Sequence, residues 1–214
     1  AGVRIVATHA GLSPNADGGS HETIEDIALM RVLPGMTVLS PCDYNQAKTM
    51  IKQMKDIKTP SYIRLSRHPV PTVTKPDAPL QIGVIDVLRD GADVCIAATG
   101  IMVAEACSAA EQLKEKGSDA AVLNVQTIKP LDSETILRYA GKCPVMVTVE
   151  EHSVIGGLGS AICEVTAGSG YNCRVSRMGI QDKFGQSGDL QELMNAYGLN
   201  ASHIVSRVIQ LTGR

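Results

Sequence analysis

The chain has 214 residues and a mass of 22.6 kDa, long for one α/β domain and short for two complete ones when domains run at roughly 100 to 200 residues. Its 44% hydrophobic and 20% charged residues are ordinary for a folded chain and exclude extended disorder or collagen. A net charge of -2, no tryptophan and a single phenylalanine leave neither the basic face nor the stacking platform of a nucleic-acid binder.

No run approaches the ~20 consecutive apolar residues of a bilayer span, and no basic-then-apolar leader opens the sequence. The expectation is a cytoplasmic protein that engages no membrane. Cys42, Cys95, Cys107, Cys143, Cys163 and Cys173 are scattered, without CxxC or a paired spacing to histidine. That predicts reduced, mostly buried thiols rather than a zinc site or a disulfide framework.

Residues 3–8 are apolar and β-branched and read as a buried strand. The sequence opens Ala1-Gly2 and runs straight into that strand, which suggests that the upstream part of a first domain is absent. A polar loop over 11–20 follows, then a helix over 21–32 with Ile24, Ile27, Ala28 and Val32 at helical spacing and Ser20 as N-cap. Glu22, Glu25 and Asp26 would lie near its positive end, and Pro34-Gly35 stops it. Residues 37–39 form a strand, Asp43 caps a helix to about 54, and 61–65 form a third strand.

Four prolines between 69 and 79 mark an extended linker. Beyond it strands are expected at 93–98, 120–125, 145–149 and 173–177, and helices at 103–116, 132–140, 158–167, 189–196 and 201–211. Strands separated by helices imply parallel sheets. The fold class is therefore α/β: two units with mainly parallel sheets flanked by helices, the first truncated at its N-terminus. The boundaries fall at 1–68, 69–81 for the linker, and 82–214.

The chemistry concentrates in the loop from His9 to His21. It joins the carboxyl end of a strand to a helix, where open α/β sheets bind ligands. Gly18 and Gly19 permit close backbone approach. A histidine in the first turn of the predicted helix would be held neutral, ready to donate or accept a proton. On local chemistry alone, Asp17 and Ser20 could equally cap turns and both histidines be surface residues. The spacing of His9, Asp17 and His21 matches no standard metal-ligand pattern. Arg64 and Arg67 end the third strand, and an arginine there can present a fork to phosphate or carboxylate. Glu150-Glu151-His152 followed by Gly156-Gly157-Leu158-Gly159-Ser160 could form an anion cradle at a helix start, but lacks the dinucleotide fingerprint. The segment reads as structural or interfacial.

Thr8-His9, Asp17-Gly18-Gly19-Ser20-His21-Glu22, Glu25-Asp26 and Arg31-Val32-Leu33-Pro34-Gly35-Met36-Thr37-Val38 resemble the second half of a transketolase pyrimidine-binding domain. Pro41-Cys42-Asp43 and the run from Pro60 to Arg67 continue the resemblance. Ile128-Lys129-Pro130-Leu131-Asp132, Thr148-Val149-Glu150-Glu151-His152 and Gly156-Gly157-Leu158-Gly159-Ser160 resemble that family's C-terminal domain. The likeness covers the whole chain in order and is nearest to the C-terminal subunit of split transketolases. It implies transfer of a two-carbon ketol unit between ketose and aldose phosphates, using thiamine diphosphate and Mg2+. By the same resemblance His21 is the catalytic proton-transfer partner at the reacting carbonyl, Asp17 binds the adjacent hydroxyl, and His9 and Arg67 hold the distal phosphate.

Two departures stand out: Ala10-Gly11 replaces the family's usual acidic residue or serine, and Asp17-Gly18-Gly19 replaces its DGP. The family's activating glutamate and aromatic wall would precede residue 1, and its diphosphate-binding domain has no counterpart here. The resemblance thus implies no cofactor-binding or metal residue in this chain, no activity alone, and two partners. These are a diphosphate-binding N-terminal subunit and a second copy, paired through the C-terminal domain. Alternatives are a piece of a deoxyxylulose phosphate synthase, of a 2-oxo-acid dehydrogenase beta subunit, or a non-catalytic dimerisation module.

Overall fold

The computed structural model describes residues 2–213; Ala1 and Arg214 lie outside them. The first sheet holds β1 (Arg4–Ala7), β2 (Thr37–Leu39), β3 (Ser61–Arg64) and β7 (Thr127–Lys129), in the order β1-β3-β2-β7. The second holds β4 (Asp86–Arg89), β5 (Val94–Ala98), β6 (Ala120–Asn124), β8 (Val145–Ser153) and β9 (Arg174–Ile180), in the order β4-β6-β5-β8-β9. β5, β6, β8 and β9 pair in parallel, and β4 joins antiparallel at the edge. The expected α/β class of two mainly parallel units is what the chain adopts.

The second sheet is sandwiched. Val94, Ile96 and Ala98 face α3 (Met102–Glu115) and α7 (Ala201–Thr212), while Cys95 and Ala97 face α4 (Ser133–Lys142) and α5 (Leu158–Thr166). All five β5 residues are buried, as a strand covered on both faces requires. α3 turns Ala106, Ala109 and Ala110 inward, and these small side chains let it lie close to the sheet. The six thiols are unpaired, and burial raises the pKa of each, Cys143 to about 11, so they stay protonated and inert as expected.

In the first unit α2 (Tyr44–Met54) packs Met50 and Met54 on Leu39 and Ile63. Asp43 caps it by accepting from Gln46 N at 3.0 Å. The same carboxylate accepts from Val73 N at 2.9 Å and Thr74 N at 2.6 Å, tying down the proline-rich stretch. Residues 65–85 contain no helix or strand.

Four expectations need correction. β1 is not buried: it sits at the sheet edge with β3 on one side only, and Ile5 and Val6 are exposed. α1 runs Asp26–Val32, not from residue 21, because Gly11 N donates to Thr23 O at 2.9 Å and Ala10 bridges Thr23. That contact draws 21–25 out of helical geometry, so Ser20 caps no helix, and His21 stands five residues before α1 and outside its dipole. β8 extends to Ser153, with a register shift beyond Val149, and carries Glu150, Glu151 and His152 inside the protein. β7 lies beyond the linker in sequence yet pairs antiparallel with β2 of the first sheet. Lys129 fastens it, donating to Arg31 O at 2.7 Å and Leu33 O at 2.6 Å. α6 (Leu190–Ala196) precedes α7.

Candidate active site

The carboxyl ends of β1 and β3 lie side by side, with Ala7 registered to Arg64. Leu65 N donates to Ala7 O at 2.8 Å, and Ala10 N returns to Leu65 O at 3.1 Å. Between those bonds the chain turns sharply at His9, whose φ of 66° is left-handed. A non-glycine residue holds such a conformation at a cost of about 1–3 kcal/mol, and such strain is met at functional sites. The turn leaves His9 exposed, with Nδ1 hydrogen-bonded to Thr8 Oγ1 at 2.8 Å.

Ser13 is fully buried and pins the loop: its hydroxyl donates to Ala10 O at 2.6 Å and accepts from Arg67 N at 3.1 Å. Arg67 then reaches along the loop to Pro14 O at 3.3 Å and forms an ion pair with Asp17. A 3-10 turn over Asn15–Asp17 sets Asp17 there. His21 is exposed, its Nδ1 sharing a hydrogen bond of 3.0 Å with Ser20 Oγ. Asp17 and Arg67 are thus in contact, and His9 and His21 stand exposed at the two ends of the same loop. Among the described residues, the direct contact within the four is the Asp17–Arg67 pair.

Arg64 behaves differently, and its reading as a second phosphate fork is wrong. Its side chain is 3% exposed, donates from Nε to Asp26 Oδ2 at 2.9 Å, and reaches Glu151 O at 3.3 Å. Tyr62 OH donates to the same Asp26 oxygen at 2.6 Å. These groups form a buried polar seam between the two units. His152 Nδ1 donates to Ser153 O at 2.7 Å, and Nε2 accepts from Ala28 N at 3.4 Å. That bonding suits a neutral ring, and burial together with the Arg64 charge lowers the His152 pKa.

Glu150 accepts from Leu158 N at 2.6 Å and Gly159 N at 2.8 Å. It fills the α5 N-terminus, so the 156–160 glycines serve packing rather than an outside anion. Burial pushes Glu150 up to about 7 and Glu151 up to about 8. The structural or interfacial reading of the segment from Glu150 to Ser160 holds; what sequence reasoning missed is the seam role of Asp26, which it placed only near a helix start.

Among the described residues no group of three or more His, Cys, Asp or Glu converges as a metal site, and Phe184 is 92% exposed. No helix among them is long and apolar enough to cross a membrane.

A two-unit α/β chain with a histidine-bearing loop over its strand ends defines a recognisable class. The transketolase pyrimidine binding domain matches residues 1–72 and the transketolase C-terminal domain matches 83–204. The chain belongs to the transketolase family. A 6-deoxy-6-sulfo-D-fructose transketolase subunit from Clostridium sp. (strain MSTE9) is 43% identical over 214 residues, covering 99% of this chain and 66% of the relative. A 1-deoxy-D-xylulose-5-phosphate synthase 2 from Geobacter sulfurreducens is 38% identical over 204 residues, covering 93% of this chain and 32% of the relative. Among solved structures, a split gene transketolase described as an inactive beta4 tetramer superposes with a TM-score of 0.91 at 44% identity, covering 99% of this chain and 67% of that one. The chain thus spans about two thirds of the transketolase subunit's length and about a third of the synthase's.

Proposed function

We propose that this chain supplies the substrate-binding wall of a transketolase that moves a two-carbon ketol unit between sugar phosphates. The observation that carries the reading is the exposed Asp17–Arg67 pair, on a loop whose two ends carry the exposed His9 and His21. Residues 1–68 would act as part of a pyrimidine-binding domain, 69–81 as linker, and 82–214 as C-terminal domain. The remainder of the site, with thiamine diphosphate and Mg2+, would come from a diphosphate-binding subunit, and a second copy would pair through the C-terminal domain. The cofactor would supply the carbanion-stabilising chemistry.

The residues of this chain do the anchoring. An exposed ion pair such as Asp17–Arg67 is worth about 0–1 kcal/mol, so a sugar phosphate dianion can take over the Arg67 fork with His9 alongside. That exchange frees Asp17 to accept from a substrate hydroxyl. His21, exposed beside it, donates to the reacting carbonyl oxygen and holds the proton to be moved. Phosphate binding remote from the reacting carbon supplies the orientation that chemistry there requires.

The test is reconstitution with a diphosphate-binding subunit, thiamine diphosphate and Mg2+, measuring ketol transfer from xylulose 5-phosphate to ribose 5-phosphate. His21→Ala and Arg67→Ala should each lose about tenfold or more in kcat/KM, roughly 1.4 kcal/mol. Variants as active as the parent would remove these side chains from the site. The 38% identity to a 1-deoxy-D-xylulose-5-phosphate synthase favours one second reading, a piece of such a synthase. It would show itself by accepting pyruvate as donor in the same assay.

A further inference from the structure

The loop carrying His9, Asp17 and His21 is pinned within its own unit by Ala10, Ser13 and Arg67, and two elements of the second unit support it as well. At its far end the support is loose. Gly188 N donates to Asn15 O at 3.4 Å, and Gly19 packs so closely on Gly185 that an added Cβ would lie 2.8 Å from Gly185 O. At its near end the support is a single buried carboxylate. Glu151 Oε1 accepts from Leu12 N at 2.6 Å, across 139 residues of sequence.

We propose that Glu151 is the positioning residue of the site: reaching over from β8, its carboxylate fixes where the 9–21 loop stands above the ends of β1 and β3. The inference rests on the reading of that loop as a substrate wall. Three observations converge on it. Glu151 is buried, and its own backbone carbonyl is held by Arg64 Nη2 at 3.3 Å, while Arg64 is in turn tied to Asp26. The carboxylate thus projects from a fixed base. Gly11, beside the bond, has φ +61°, and a Cβ there would fall 2.3 Å from Glu151 Cδ. The loop therefore has a glycine where the carboxylate and the backbone both demand one. Leu12 is fully buried in the second unit's core, so the bond sets the height of the chain on either side of it.

Burying an ionisable group costs free energy unless its bonds repay it. Packing alone would be met by an apolar residue of the same volume, whereas Leu12 N needs an acceptor. Glu151 is buried beneath the loop and acts through it.

Amide hydrogen exchange on the full chain reads the loop directly, and kinetics of the reconstituted enzyme read its consequence. In Glu151→Ala, exchange across residues 10–22 should accelerate about tenfold or more while 94–98 and 120–124 keep parent rates. KM for the sugar phosphate should rise by a similar factor, more than kcat falls. Glu151→Gln, whose amide oxygen still accepts from Leu12 N, should bring both quantities back to within about threefold of the parent. Should Glu151→Ala fail to fold, Gly11→Ala takes its place, since it drives a methyl into the carboxylate and should loosen the same segment. Parent-like exchange over 10–22 in the alanine variants, or a Gln variant as loose as the Ala variant, overturns the proposal. Exchange needs no reaction, so a reconstituted parent without ketol transfer would defeat the functional reading and leave this one to be decided on the loop.

Discussion

Arg64 and Arg67 stand three residues apart at the end of β3 and serve opposite ends. Arg64 points down into the seam, 3% exposed, among Asp26, Tyr62 and the Glu151 carbonyl. Arg67 points out to the rim, where it and Asp17 keep 40% and 41% of their side-chain surface in water. The difference teaches how the chain divides its charges. Those fully desolvated between the two units hold the units together, and those left wet remain exchangeable for a ligand.

Removing Arg64 tests the buried half and carries the largest expected effect. Arg64→Ala strands Asp26 without its cation in a dry seam. Breaking a buried pair this way costs about 3–5 kcal/mol, and at about 2–4 °C per kcal/mol for a chain of this size the fall in Tm is roughly 6–20 °C. A calorimetric fall of only a degree or two would make the seam no stronger than a surface pair.

The pH dependence of stability sharpens the same point. Glu150 and Glu151 keep their protons when folded up to about 7 and about 8, against an ordinary 4.5. The folded chain therefore binds more protons than the unfolded chain across that window, and stability is full below about 4.5 and lost as pH rises through 7 and 8. His152, its pKa lowered from 6.5, works the other way below 6.5, but two acids outweigh one imidazole. Tm should fall between pH 5 and 8, because each proton the folded chain holds beyond the unfolded one is given up over that window. Glu151→Gln, which mimics the protonated acid, should flatten the curve. A Tm that climbs from pH 5 to 8 would mean the seam glutamates are ionised throughout.

How much of this was legible beforehand follows the range of the interactions involved. The Asp43 cap and the parallel pairing of β5, β6, β8 and β9 are local or periodic signals, and the sequence reads them directly. Residues 21–25 carry a helical pattern, but the long-range contact of Thr23 with Ala10 and Gly11 overrides it. β7 is three residues long, and only its pairing with β2 makes it a strand. His9, Asp17, His21 and Arg67 stand out in the sequence because they fall just past strand ends or in the loop between. Nothing in Ile63-Arg64-Leu65-Ser66-Arg67 distinguishes the buried arginine from the wet one. That depends on Asp26 and Glu151, 38 and 87 residues away along the chain.

The exposed half of the comparison predicts the smallest effect on folding. A double-mutant cycle of Asp17→Ala and Arg67→Ala should give a stability coupling of no more than about 1 kcal/mol, because both partners keep water and salt screens them. Catalysis should behave differently in the same cycle. If Arg67 leaves Asp17 to take a phosphate, each single variant lowers kcat/KM by about tenfold or more, and the pair shows no rescue of one loss by the other. Asp17→Ala frees the Arg67 fork yet removes the acceptor for the substrate hydroxyl, so phosphate alone should bind at least as well while turnover falls. A coupling of about 3 kcal/mol in thermal unfolding, with phosphate affinity unchanged in Arg67→Ala, would move this pair into the structural class of Arg64 and Asp26.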